Sequence, residues 1–452
     1  MIGPITIVLR AFSVACLATA CLSNYGMWSA NAVPAYVAAI VAWFAGEFAL
    51  HKRIAFSPRA AAISCAVIFA LLQLIALFSS KNPIVYPVTS SISPWWFLEG
   101  VAFVGGVLLA LLAARSSTDN AGRDALVPAL LALGVAVRVL AVAASPHPTI
   151  DVWSAHQTAT QMLLSGINPF THDMPDIYEG KAPAALGYAL KAYDYPPSNL
   201  FLFAPFVAGL GDSRYALIVV EIAGLAILWW RVIRRHPARG ALEPLLLIFY
   251  LQPLASFAIE QAWTEPLGVG CAALLLAFGS SGASNAVLAP LLGALLSLKQ
   301  YFILLGNLAL LAPRKLAALA VAVALAALTL LPFLASDPRA LLEALSQPSR
   351  IPYRAFNLSL NSLLDHTFKV HLPITPIVIA ATAIGLLFPL WRSRVGRPLG
   401  ERIWAWNTSV YLTLFALTFG FFNYHYLVGA MMVLASVSEG ASTISRAGTA
   451  RA

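Results

Sequence analysis

The stretch 125–151, Ala125-LVPALLALGVAVRVLAVAASPHPTI-Asp151, decides how the whole chain is read. Residues 125–144 carry one charge, Arg138, in an otherwise apolar run. A hydrocarbon core about 30 Å thick needs roughly 20 apolar residues in helical form. Lipid cannot satisfy exposed backbone N–H and C=O groups, so such a run crosses as a helix. Pro146 and Pro148 then interrupt it, and an aspartate follows.

The same pattern recurs outward in both directions. The chain has 452 residues, 60% of them hydrophobic and only 10% charged, with a mean hydropathy of +0.79. That composition excludes an ordinary soluble domain. Apolar runs fall at 4–22, 33–50, 60–79, 96–114, 125–144, 214–230, 241–259, 266–282, 284–298, 301–312, 316–334, 373–391, 403–420 and 426–440. The expectation is an all-α integral membrane protein with about 13–14 transmembrane helices and external juxtamembrane helices. The first run lacks a basic segment before it and reads as a membrane helix, not a cleaved signal peptide.

The net charge of +9 does not imply nucleic acid, because Lys and Arg lie in short connections such as His51-Lys52-Arg53 and Arg231-Val232-Ile233-Arg234-Arg235. That placement is a topology signal. Basic clusters at 51–59, 115–123, 231–239, 313–315 and 392–402 all fit one alternating path that starts and ends in the cytoplasm. Cys16, Cys21, Cys65 and Cys271 sit inside apolar runs, without CxxC spacing, and read as small core hydrophobes. No metal or other cofactor is implied.

This path leaves two long regions outside, 145–213 and 335–372, joined by short external links at 260–265, 299–300 and 421–425. The links hold Glu260, Gln261, Glu265, Lys299, Gln300, Asn423 and His425, which points to an extracytoplasmic site. The segment 196–211 is apolar but short and rich in Pro and Gly. A crossing there would put Arg231 outside, so it is expected to dip into the outer face and to border a cavity.

In 151–164 the apolar positions Val152, Ala155, Ala159, Met162 and Leu163 follow helical spacing, the stripe of an amphipathic surface helix. Gly166 ends it and Asn168-Pro169 turns the chain. Asp151 falls at the expected N-cap, and a plain capping role of about 1 kcal/mol is one reading of it. A carboxylate on a rigid helix end is equally suited to act as a base.

Several motifs then line up in order. Asp151, the helix ending in Leu164-Ser165-Gly166-Ile167-Asn168-Pro169-Phe170, and Tyr193-Asp194-Tyr195-Pro196-Pro197 resemble the first periplasmic loop of GT-C glycosyltransferases, most closely glycosyltransferase family 87. Ser297-Leu298-Lys299-Gln300 is similar to that family's Lys-containing helix break, with Gln300 where a proline often stands. Phe356-Asn357-Leu358-Ser359-Leu360-Asn361-Ser362-Leu363-Leu364 is similar to its second-loop element, and Asn423-Tyr424-His425-Tyr426 to its late external His motif. The resemblance covers 123–440 as a GT-C-like catalytic core. Residues 1–115 form a four-helix membrane module outside it, and 441–452 a cytoplasmic tail. The family's aspartate usually follows the first membrane helix, whereas here it follows the fifth.

The resemblance implies an inverting transferase that moves mannose or another hexose from a polyprenyl-phosphate donor to a lipid or glycan acceptor. It places the site on the periplasmic side of a bacterial inner membrane. A sugar hydroxyl attacking an anomeric carbon is assisted by a carboxylate that takes its proton, typically about 10²–10⁴-fold. Asp151 is the expected base. The leaving phosphate calls for cations, and His425, Lys299, Arg350 and Arg354 are the expected set. Lys299 equally fits a lysine snorkelling to the interface, and the two arginines fit solvated loop charges. Trp153, His156, Asp194, Tyr195, Glu260, Trp263, Glu265, Asn357, Asn361 and Tyr424 are the expected substrate contacts. An interfacial Trp with exposed neighbours is the plainer reading of Trp263 and its flanking glutamates.

Two rivals share the composition. One is a transporter or flippase of lipid-linked sugars; against it, the ionisable residues cluster on one face, no internal repeat is found, and only Arg10, Glu47, Glu99, Arg138 and Glu221 lie deep in apolar runs. The other is a polymerase or ligase of lipid-linked glycans. Membrane lipids surround the protein in every case, and its oligomeric state is not legible in the sequence.

Overall fold

The computed structural model describes residues 3–52, 56–79, 84–87, 93–115, 120–178, 192–347, 356–392, 399–418 and 420–439. Among them the regular structure is helical throughout, with one isolated bridge between Met27 and Asn357. The protein is an all-α membrane protein.

The chain opens with α1 (Pro4–Asn24), α2 (Val33–Lys52), α3 (Pro58–Leu77), α4 (Ser93–Arg115) and α5 (Asn120–Ala144). The surface helix α6 (Asp151–Leu164) and the short α7 (Ser198–Leu210) follow, then α8 (Arg214–Arg231). The middle of the chain is broken into α9 (Arg239–Tyr250), α10 (Ala255–Glu260), α11 (Glu265–Gly279), α12 (Asn285–Leu296), a 3₁₀ stretch (Gln300–Leu311) and α13 (Lys315–Leu328). The short helices α14 (Leu331–Ser336), α15 (Pro338–Ser346) and α16 (Leu360–Phe368) lead to α17 (Ile374–Arg392), α18 (Leu399–Leu417) and α19 (Phe422–Ser438).

Six described helices are long and apolar enough to cross a bilayer: α1 to α5 and α8, with its 3₁₀ extension to Arg235. The sequence suggested about fourteen crossings. Part of the difference lies in the middle of the chain, where α9, α11, α12 and α13 have 12 to 15 residues, and α19 near the C-terminal end has 17. At 1.5 Å per residue the four middle helices reach about 18–23 Å, short of the hydrocarbon thickness. Gln252-Pro253 stands in the α9–α10 break and Pro290 inside α12. Proline removes a backbone donor and clashes with the preceding turn.

The charges deep in apolar runs are largely paired. Arg138 on α5 reaches Glu221 on α8 at 2.9 Å, the Tyr250 carbonyl at 3.0 Å and the Tyr426 hydroxyl of α19 at 3.1 Å. Arg10 on α1 meets Glu47 on α2 at 2.5 Å and Glu439, just past α19, at 2.7 Å. In a medium without water such pairs lock helices into register, since an unpaired charge there is very costly. Close backbone approach does the same between α8 and α11, where a Cβ on Gly224 would collide with the backbone of Gly270.

The first four helices pack into the body. α1 lies against α9 and α19 as well as α2 and α3, and α3 lies against α9. Beyond the end of α1, the Trp28 N–H donates to the Phe356 carbonyl at 2.7 Å and the Leu358 N–H to the Gly26 carbonyl at 3.3 Å. The regions 145–213 and 335–372 also share an apolar cluster. Ala155 and Ala159 of α6, Phe170, Tyr193 and Leu200 meet Phe333 of α14 and Leu341 and Ala344 of α15.

Candidate functional site

Asp151 is the first helical residue of α6. Its predecessor Ile150 is the extended N-cap, and the Asp151 carboxylate accepts the Val152 N–H at 2.9 Å. The expected N-cap placement is therefore one residue off. An acid in the first turn still faces the positive end of the helix dipole, which favours its ionised form. On the far side, α6 ends at Leu164, with Gly166 at φ 73° after it.

α6 is braced on the short α7, a 13-residue helix that stops at Gly211. Gln157 donates to the Gly211 carbonyl at 2.8 Å and accepts the Ser213 N–H at 3.0 Å. His156 is fully buried; one ring nitrogen lies 3.0 Å from the Tyr193 hydroxyl, and the ring packs on Tyr195 and Phe203. Burial, with Lys299 nearby, pushes its pKa down to about 3, so it stays neutral. Trp153 is held between His147 and the Arg214 guanidinium. His156 and Trp153 are thus set in the wall that carries Asp151.

Asp194 is the second acid of the site. It is 7% exposed, and its Oδ1 has no hydrogen-bond partner. Burial, reinforced by the negative charge of Asp151, pushes its carboxyl up to about 7 despite the opposing field of Lys299. Two carboxylates in unequal surroundings are the arrangement that separates an ionised base from a protonated partner.

The helix breaks bring the cation to the same place. Ser198 and Asn199, in the first turn of α7, donate to the carbonyls of Ser297 and Leu298, the second at 2.8 Å. Gln300 donates to the Asp194 carbonyl at 3.3 Å. Lys299 is thereby fixed between the two loops. Its Nζ lies 2.9 Å from Glu265 and about 5.5 Å from the ring centres of Tyr195, Tyr301 and Tyr424. Glu265 also accepts from Asn423 at 2.9 Å and from the Tyr301 hydroxyl. Lys299 is 11% exposed at its side chain, so snorkelling into solvent does not describe it.

Tyr195, Glu265, Lys299 and Tyr424 are brought together, with Asp194 in the fields of both Lys299 and Asp151. Tyr301 joins them unforeseen, although its position directly after the Lys299-Gln300 break was a usable signal. The other expected residues are placed differently. Glu260 accepts the backbone N–H groups of Val85 and Tyr86, and Trp263 packs on Phe257 and Phe422. Asn357 accepts the Gly420 N–H at 2.9 Å, and Asn361 donates to the Leu372 carbonyl at 3.0 Å. Both asparagines hold backbone in the second external region. Arg350 and Arg354 lie outside the described residues.

His425 leaves the first turn of α19 in another direction from Tyr424, as successive residues of a helix do. Its Nε2 lies 3.1 Å from the Leu358 carbonyl, its ring meets Tyr36 edge-on, and Nδ1 has no hydrogen-bond partner. Beside it is a cavity of about 260 Å³ between α2, α16 and α18, lined chiefly by apolar side chains such as Val37, Ile40, Phe44, Leu363 and Leu412. Tyr36 and Leu358 belong both to this lining and to the surroundings of His425. Among the described residues no group of three or more His, Cys, Asp or Glu gathers to hold a metal ion.

No protein-family model, no curated protein and no solved structure matches this chain.

Proposed function

We propose that the chain is a membrane glycosyltransferase that moves a hexose from a polyprenyl-phosphate donor to a lipid or glycan acceptor at the extracytoplasmic face. The observation that carries this reading is the buried carboxyl of Asp194, which lies in the fields of both a second acid, Asp151, and the buried cation Lys299. In the proposed step an acceptor hydroxyl attacks the anomeric carbon while Asp151 takes its proton. The bond from that carbon to the phosphate oxygen breaks with inversion, and polyprenyl phosphate leaves with the electron pair. Lys299 uses one N–H on Glu265, and its two other donors serve the leaving phosphate. The apolar cavity beside His425 suits an isoprenoid tail, which supports a lipid-borne donor.

The same cavity, with the buried charges of α1, α5 and α8, also favours a second reading, a flippase of lipid-linked sugars. Purified protein supplied with a panel of polyprenyl-phosphate sugars and candidate acceptors separates the two. Mass spectrometry is expected to find a glycosylated acceptor together with free polyprenyl phosphate. Donor that crosses vesicle bilayers with its sugar bond intact, and no new product, would sink the transferase reading.

A further inference from the structure

The external link between α3 and α4 belongs to helices that the resemblance does not cover, yet it reaches the acids of the site. Ile84 is buried against Trp95 of α4 and Ala141 of α5. The next two backbone amides, of Val85 and Tyr86, donate to the two oxygens of one carboxylate, Glu260, at 2.6 and 2.7 Å. Glu260 is fully buried at the end of α10, a six-residue helix packed among α5, α8, α11 and α19. Charge-assisted bonds of this kind are short and about twice as strong as neutral ones. Two of them, to successive amides and from a carboxylate removed from water, fix the orientation of the link as well as its place. Tyr86 follows directly, half-buried, and its phenol lies in the negative field of both Glu260 and Asp151. Pro87 comes next, its own φ fixed by the ring.

We propose that Glu260 is a positioning residue which, through the backbone of 84–87, holds the Tyr86 phenol beside Asp151 as part of the wall that binds the sugar acceptor. This rests on the transferase reading above. The first four helices then complete the site: a phenol there donates to an acceptor hydroxyl or covers a sugar face, and does so only while the link is clamped.

The test uses full-length protein in detergent. Hydrogen exchange followed by mass spectrometry reads the amides of 84–87, and steady-state transfer reads KM for acceptor and donor separately. E260Q, and Val85→Pro, which deletes one donor and leaves Glu260 in place, are each expected to speed exchange there about tenfold or more. They are also expected to raise the acceptor KM about tenfold with the donor KM unchanged. Y86F is expected to raise the acceptor KM while exchange at 84–87 stays as in wild type. Unchanged exchange in both E260Q and Val85→Pro overturns the clamp. An acceptor KM within about twofold of wild type in Y86F overturns the role of the phenol. Should E260Q fail to fold, Val85→Pro and Y86F decide the same two points. Absence of any sugar transfer by the wild type would instead remove the transferase reading, and the exchange data would still decide whether Glu260 holds the link.

Discussion

Lys299 and Glu265, separated by 34 positions in the chain, meet at 2.9 Å with Asn423 and Tyr301 on the same carboxylate. Three helix breaks that the sequence scatters are thereby tied at one point. Removing one partner of a buried pair strands the other charge, at a cost of about 3–5 kcal/mol, whereas an apolar replacement of both is far cheaper. K299M is expected to lower the thermal unfolding midpoint sharply, and K299M/E265M to recover more than half of that loss. A double variant as unstable as the sum of the two single ones would show that the residues act independently.

Asp194 gives a pH signature with a definite sign. Its carboxyl is raised from 3.8 to about 7 in the fold, so between those values the native state keeps a proton that the unfolded chain has released. Stability from this group falls as pH rises from about 4 to about 7 and is level above. His156, lowered from 6.5 to about 3, acts oppositely: its contribution is lost as pH falls below about 6.5. The difference in unfolding midpoint between wild type and D194N across pH 4–8 isolates the acid. The variant is expected to gain on the wild type as pH rises to about 7, and a difference independent of pH would exclude a raised carboxyl.

Asp151 is expected to be required for chemistry and dispensable for folding. It is the first residue of α6, and its carboxylate accepts the neighbouring Val152 N–H, a bond that an Asn oxygen can replace. D151N is expected to keep the wild-type unfolding midpoint to within a few degrees and to lose about 100-fold or more in transfer rate. Transfer at near wild-type rate would assign Asp151 to helix initiation alone.

Gly420 is expected to tolerate no side chain, because a Cβ there would collide with the Leu358 carbonyl that also meets His425. G420A must therefore displace either the second external region or the start of α19. Accelerated hydrogen exchange at 356–359 together with lowered stability is the expected result. Wild-type exchange in that peptide would show that the approach is loose.

Helical membrane character and the amphipathic helix from Asp151 were both legible in the sequence. Run length and 3.6-residue spacing are local properties. The late breaks were legible only as polar interruptions, since a short apolar run reads alike whether it crosses or stops inside the protein. That is why α9, α11 and α12 were expected to be longer than they are.

What only the tertiary structure decided is which polar groups meet. Asp194 and Glu260 are both acids outside the long helices, yet one is left buried in the field of Asp151 while the other is satisfied by two backbone amides of a distant loop. The carboxyl chemistry is the same, and packing sets the difference: removing water raises the energy of the charged form unless fixed donors replace the water. No local pattern states which carboxylate will find them. The chain alone placed Asp151 at the start of a helix, and the fold put Asp194 and Tyr86 within its electrostatic reach.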